Sequence, residues 1–401
     1  MDAPVVLADV TSPDSFSSVL GDAGIRVVST AAELQAISVS NGPVIFVDGS
    51  LMVASTDSRQ ILRTLAYRAE PGSNGFASTA LYRRLEQAYT EGVGWLLAAD
   101  LERLIGANAG APLEGAGIAD MQQFVLEQKT GAGGASYRAT LGFRQNRRGM
   151  AAWLAQPSPM GALEFVSPNA YGAAGIVTKD PTSMFDDVFT LMAGKGAALQ
   201  DLQNYQTEHN VDIRRDFVAT LGNEFLAAVD GPILPTPSWR IVIEVNDAAR
   251  LQNTIEWAVA DLNRQAAARQ RPGIRLTSET ASGRMFYSVT GVNAPTEIHY
   301  TYWAGYMIIG PSRALLMEAI QTHDSGTSLP HSQAFRSKLP DDGRDYASGF
   351  IYQNFPDTNL ICLYGEEDRI VLSSKGVLGM NVAGIAGITG MLNTMGVNGI
   401  K

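Results

Sequence analysis

Tyr300-Thr301-Tyr302-Trp303-Ala304-Gly305-Tyr306-Met307-Ile308-Ile309 decides the fold, because two aromatic and aliphatic runs flank an Ala-Gly pair as the arms of a hairpin flank its turn. The pattern occurs twice. Val44-Ile45-Phe46-Val47-Asp48-Gly49-Ser50-Leu51-Met52-Val53 carries it about 255 residues earlier, with Asp48-Gly49 as a favoured type I′ turn pair. Outward from both hairpins, matching blocks follow in the same order. Ile61-Leu62-Arg63-Thr64-Leu65 answers Leu316-Met317-Glu318-Ala319-Ile320, and Ser78-Thr79-Ala80-Leu81 answers Ser332-Gln333-Ala334-Phe335. Gly94-Trp95-Leu96-Leu97 then answers Gly349-Phe350-Ile351-Tyr352. Recurrence in one order with small drift in spacing is what two copies of one unit leave behind.

The later copy reads more clearly. Trp239, Ile241, Ile243 and Val245 alternate with Arg240 and Glu244, the period of a half-buried strand. Asn246 or Asp247 caps a following helix whose Leu251, Ile255, Ala258, Val259 and Leu262 share one face. Ala281-Ser282-Gly283 turns a second hairpin, and Ser312 caps a helix through Ile320. The earlier copy predicts a strand at Val5 to Val10, a helix from Asp14 and a strand at Ile25 to Val28. Each copy ends in a further hairpin, Phe124 to Thr140 and Ile361 to Leu372. Between them, a long helix from Pro181 to about Gln206 and a second from Asp212 to Leu221 are expected, with strands at Ala173 to Val177 and Glu224 to Val229. The fold class is therefore α+β: two copies of an antiparallel-rich sheet unit with helices on one face, separated by a mainly helical insertion. The boundaries fall at 1–156, 157–237 and 238–401, the insertion ending in the stiff Pro232, Pro235, Pro237 linker.

Composition narrows the function classes. A chain of 401 residues, 45% apolar and 17% charged, has material for more than one core. Its net charge of −10 repels phosphate backbones, so no nucleic-acid partner is expected. Cys362 stands alone in the apolar run Leu360-Ile361-Cys362-Leu363, which excludes an intrachain disulfide and a thiolate zinc site.

A resemblance appears over Leu221 to Phe355. The stretches Leu221-Gly222-Asn223-Glu224-Phe225, Gly305-Tyr306-Met307-Ile308-Ile309-Gly310-Pro311-Ser312 and Ser328-Leu329-Pro330-His331-Ser332-Gln333-Ala334-Phe335 carry it. They resemble the bacterial proteins grouped as domain of unknown function 3352, whose motifs are structural and bring no catalytic residue. Members of that family are commonly exported or membrane-anchored. The resemblance thus implies a periplasmic or cell-envelope location, although Met1-Asp2-Ala3-Pro4 opens no signal peptide. Leu221 to Val229 precedes the later copy, while the earlier one starts at Met1. This predicts a processed form or fragment of a longer precursor, whose upstream segment would bring the protein near a membrane.

No constellation reaches a catalytic signature, and neither a cofactor nor a metal is expected. His209 with Glu208 and Asp212 supplies too few ligands, Asp341-Asp342-Gly343-Arg344-Asp345 lacks the calcium-loop spacing, and Gly194-Lys195-Gly196 is not a phosphate loop. The chain offers no nucleophile elbow. Two candidates remain. Tyr300, Tyr302, Trp303 and Tyr306 form a candidate binding face, with core packing as the alternative. The segment 376–400 has no Asp, Glu, Lys or Arg, and its Gly384, Ile385, Gly387, Ile388 and Gly390 form a candidate assembly contact. It either closes the second core or packs against another subunit. The expected function is a non-catalytic extracytoplasmic binding or assembly module, partnered by another protein or itself through that segment or the sheet edges. The alternative is a small-molecule binder or hydrolase with a site in the cleft between the copies.

Overall fold

The computed structural model describes residues 5–22, 25, 27–37, 43–69, 76–106, 115–131, 134–192, 196–233, 237–291, 297–355 and 357–376. The chain divides into two compact units, Met1–Gln87 and Ala88–Lys401.

The first unit holds β1 (Val5–Asp9), α1 (Pro13–Asp22), β2 (Val27–Val28), α2 (Ala31–Gln35), β3 (Val44–Asp48), β4 (Leu51–Ser55) and α3 (Ser58–Ala69). Its four-stranded sheet has the order β1-β4-β3-β2. Thr30 starts α2 through a capping box with Glu33, satisfying two backbone N–H groups that a helix start leaves unpaired. Val28, Leu34, Val44, Phe46, Val53 and Ile61 form its core. Asp48 pairs with Leu51, so the hairpin turns on Gly49 and Ser50, one residue beyond the expected Asp48-Gly49 pair. Of these two only Gly49 has a left-handed φ, +57°, which glycine adopts without steric cost. β2 runs parallel to β3.

After α4 (Ala80–Thr90), the larger unit begins with β5 (Trp95–Asp100), α5 (Leu101–Gly106), β6 (Met121–Gly131), β7 (Gly134–Phe143) and β8 (Gly172–Val177). It continues with α6 (Pro181–Met192), α7 (Gly196–His209), α8 (Ile213–Asp216), β9 (Leu221–Val229), β10 (Trp239–Val245) and α9 (Ala248–Ala268). Next come β11 (Ile274–Ala281), β12 (Arg284–Gly291), β13 (Glu297–Trp303), β14 (Tyr306–Gly310) and α10 (Arg313–Ser325). It closes with α11 (Gln333–Arg336), β15 (Gly349–Asn354), β16 (Thr358–Gly365) and β17 (Arg369–Lys375). Thirteen strands join one sheet in the order β11-β12-β13-β14-β10-β9-β8-β15-β16-β17-β7-β6-β5, every neighbouring pair antiparallel. The fold is α+β, with two mostly antiparallel sheets.

Three expectations change here. The helix expected from Pro181 to Gln206 is described as two helices, α6 ending at Met192 and α7 beginning at Gly196. The helix expected from Asp212 to Leu221 is the single turn α8, capped by the Asp212 side chain. A 3₁₀ turn at Val218–Thr220 follows, and Leu221 already pairs in β9. The strands expected within 157–237 are β8 and β9, and instead of standing apart with a helical insertion they join the large sheet between β15 and β10.

Register across the sheet defines its faces. Leu96, Glu127, Arg138, Ser373, Cys362, Phe350, Gly175, Leu226, Val242, Ile308, Thr301, Phe286 and Glu279 form one cross-strand row. On this side Phe286, Ile308, Val242, Leu226, Phe350 and Cys362 are buried with Leu163, Phe165 and Val166, and with Leu316, Ala319 and Ile320 of α10. Each fully buried Leu, Ile or Phe contributes about 2 kcal/mol, so this layer is the main core.

Candidate functional site: the open face and edge of the large sheet

Neighbouring residues along each strand point to the opposite side. There Leu97, Leu126, Ala139, Leu372, Leu363, Gly349, Ile176, Phe225, Ile243, Met307 and Tyr302 stand side by side in an unbroken cross-strand row. No charged residue interrupts it. Antiparallel sheets commonly present a polar second face to water; this one carries an apolar row there as well. At one end α9 covers it, with Leu251 buried beside Tyr300 and Met307 and with Ile255 packed against them. Between α9 and β5 the cover is uneven, with Gly349, Ile361 and Ser374 of this side buried. Leu126, Leu372, Leu363 and Phe225 are half-buried, while Ile176 is 37%, Trp95 47% and Leu97 57% exposed.

The sheet's two ends differ as well. At β11, Asn263 of α9 donates to the Ile274 carbonyl at 2.9 Å and accepts from its N–H at 2.8 Å, doing locally what an added strand would do. Exposed Arg275, Thr277, Ser278, Glu279 and Thr280 follow, and Glu279 pairs with Arg313. At β5 the sequence is Trp-Leu-Leu-Ala-Ala-Asp, whose one charged residue ends the strand. Asp100 is engaged there, accepting from the Arg103 N–H at 3.1 Å and pairing with its side chain at 3.3 Å.

The four residues named from sequence separate. Tyr302, Trp303 and Tyr306 line a depression of about 190 Å³ with Val245, Ala248, Ala304 and Gly305, whereas Tyr300 is not in it. Tyr300 is 2% exposed, stacks on Tyr287 at 4.9 Å, and donates to Gln252 Oε1 at 3.1 Å. Burial pushes its hydroxyl up to about 12, so it stays a donor at any physiological pH. Tyr302 donates to the same oxygen at 3.3 Å. Trp303 donates to Asp324 at 2.8 Å under the Arg284 guanidinium, 4.0 Å from the ring centre. Tyr306 donates at 3.0 Å to Glu224, which also accepts the Ala162 N–H at 2.8 Å. Burial raises the Glu224 carboxyl above its ordinary value, only partly offset by these donors.

A larger cavity, about 390 Å³, is lined by Ser167, Asn169, Asp230, Arg240, Glu318 and Thr322 among others. Arg240 pairs with Asp230 at 3.1 Å, both side chains buried, and donates to the Phe165 carbonyl at 2.6 Å. Burial pulls the guanidinium down while Asp230 and Glu318 oppose it. Asp230 in turn accepts the Ser167 N–H at 2.7 Å. These polar groups converge, and among the described residues the lining holds no histidine or cysteine.

The remaining constellations are used structurally. His209 Nδ1 lies 2.8 Å from Asp261 of α9, away from the carboxylates considered in sequence. Burial would raise Asp261, but hydrogen bonds from Gln265, Tyr205 and Arg264 outweigh it and hold the carboxyl below its ordinary range. Asp341 pairs with Lys375 and Arg344 with Glu366. Cys362 lies on the core face, its thiol pushed up to about 12 by burial. Gly384, Ile385, Gly387, Ile388 and Gly390 lie outside the described residues. Among the described residues no three His, Cys, Asp or Glu side chains gather where they could hold a metal ion, and no helix is long and apolar enough to cross a membrane. Sequence reasoning missed Leu97, Ile176 and Leu372. Their signal was the uninterrupted apolar run, Ile361-Cys362-Leu363 and Ile370-Val371-Leu372, where a one-sided strand would alternate. Compared with known proteins, the chain matches no family model, no curated protein and no solved structure.

Proposed function

We propose that the protein is a non-catalytic binding or assembly module of the bacterial cell envelope, working through the open side of its large sheet. The apolar row from Leu97 to Phe225 carries this reading. Contiguous exposed apolar surface is rare on soluble proteins and marks interaction sites. The −10 charge supports a protein partner rather than a nucleic acid. The resemblance of Leu221 to Phe355 to domain of unknown function 3352 supports the envelope location, and fractionation of the source cells tests it: recovery in the cytosol alone would sink it. The doubled plan belongs to the same proposal, supported by the meanders β5-β6-β7 and β15-β16-β17, which meet where β7 pairs with β17.

The surface reading is tested with the dye anilinonaphthalene sulfonate. Wild type is expected to enhance its fluorescence, and Ile176→Glu with Leu372→Glu to remove most of the enhancement without loss of far-ultraviolet circular dichroism. Equal enhancement by a folded double variant would refute the reading. A second reading, a small polar-ligand binder, is supported by the 390 Å³ cavity beside Arg240. A screen of monosaccharides and amino acids by thermal shift tests it, with stabilisation that Thr322→Leu abolishes as the expected sign.

A further inference from the structure

We propose that β5 is the seam of a homodimer, pairing antiparallel with β5 of a second copy so that the apolar row continues from one molecule into the next. This rests on reading the large sheet as an interaction surface and names its partner. An edge strand exposes a row of unpaired N–H and C=O groups, and soluble proteins blunt such edges with charge, covering elements or bulges. β11 follows that rule, through Asn263 on the Ile274 backbone and through Arg275 and Glu279. β5 does not. From Trp95 to Ala99 it carries no charge, and its two large outward side chains, Trp95 and Leu97, are about half exposed.

Position in the sheet supports the same conclusion. β5 begins the meander β5-β6-β7 as β15 begins β15-β16-β17, and the outer side of β15 is filled by β8. Among the described residues, the outer side of β5 has no strand.

Charge selects the occupant and its direction. Asp100 is the strand's one charged residue. Parallel self-pairing would set two Asp100 carboxylates side by side, a destabilising like-charge pair. Antiparallel self-pairing with Leu97 opposite Leu97 of the second copy, the register that keeps the apolar row on one side, puts them at opposite ends, roughly 20 Å apart at the rise of an extended strand. A twofold contact of this kind is self-complementary and closes at two copies. Because each copy carries −10, added salt screens their repulsion, and the dimer tightens as salt rises.

Sedimentation velocity on the full chain over a wide concentration range tests the seam. The expected species at high concentration has twice the 42.8 kDa chain mass. Leu97→Lys is expected to raise the dissociation constant at least about tenfold, as a charged gatekeeper on an exposed position. Thr277→Lys on β11 is expected to leave it unchanged. Hydrogen exchange of residues 95–100 should slow with concentration in wild type and not in Leu97→Lys. A 42.8 kDa species at every concentration overturns the proposal, as does a dimer indifferent to Leu97→Lys with concentration-independent exchange in β5. Protection of β5 only when another protein is added overturns it too, in favour of a heterologous strand. Dye binding lost in Ile176→Glu with Leu372→Glu, alongside a monomer, would leave the surface reading intact and remove only the seam.

Discussion

The two faces of the thirteen-stranded sheet are made of the same kind of side chain, but only one is sealed. On the core face Phe350, Leu226, Val242 and Ile308 are buried beneath α10 and the segment around Phe165. On the other, α9 covers Tyr300 and Met307, and the rest of the row is unevenly covered, with Ile176 and Leu97 exposed. Apolar character by itself therefore does not say which side of a sheet stabilises the fold. Cover does, because only area removed from water contributes.

The comparison is broken most directly by matched truncations. Phe350→Ala on the core face is expected to cost about 3–5 kcal/mol in chemical denaturation, as large-to-small changes in sealed cores do. Leu97→Ala on the open face should change monomer stability by under about 0.5 kcal/mol. Similar losses for the two would mean the open face is sealed after all.

Arg240→Ala sharpens the core side. It strands the buried Asp230 carboxylate, and a loss of about 3 kcal/mol or more is expected from the denaturation midpoint. A neutral result would show that water already reaches the pair.

Two smaller effects concern pH. Burial raises the folded-state Glu224 carboxyl above its ordinary 4.5, so the folded protein binds that proton more tightly than the unfolded chain. Its contribution is most favourable below the unfolded value, falls as pH rises through the interval up to the folded value, and is constant beyond. Glu224→Gln keeps an oxygen to accept from Ala162 and Tyr306. It is therefore expected to raise the melting temperature at pH 7 more than at pH 4; the reverse order would contradict the assignment. Asp261 has the opposite sign. Its carboxyl is lowered, so the stability it confers is present above the ordinary carboxylate value and lost as pH falls through the folded one. Asp261→Asn should lose stability at pH 7 and show a shallower acid decline than wild type, read from melting temperatures between pH 3 and 7.

Much of the hairpin layout was legible. Ser282 and Gly283 turn β11 into β12 with φ of +53° and +72°, and Ala304 and Gly305 turn β13 into β14 with +50° and +85°, both where glycine-bearing turns were expected. The helix caps Asp247 and Ser312 also stand where they were read. These signals are local, each a matter of a few residues and their dihedral preferences. The candidate surface was legible only in part. Tyr302, Trp303 and Tyr306 come together, but Tyr300 turns inward to Gln252, because alternation assigns a side chain to a face without saying what covers that face.

Composition, turn chemistry and periodicity thus determined that this chain folds as α+β with antiparallel hairpins and capped helices. The pairing of β7 with β17, the insertion of β8 and β9 between β15 and β10, and the place of β5 at the end of the sheet among the described residues were decided by tertiary structure alone. The physical reason is distance along the chain. Ala139 and Leu372 are neighbours in the sheet although far apart in sequence, and backbone pairing between such segments carries no residue code. It depends on which strands fold next to each other, and so on the covering of both faces at once.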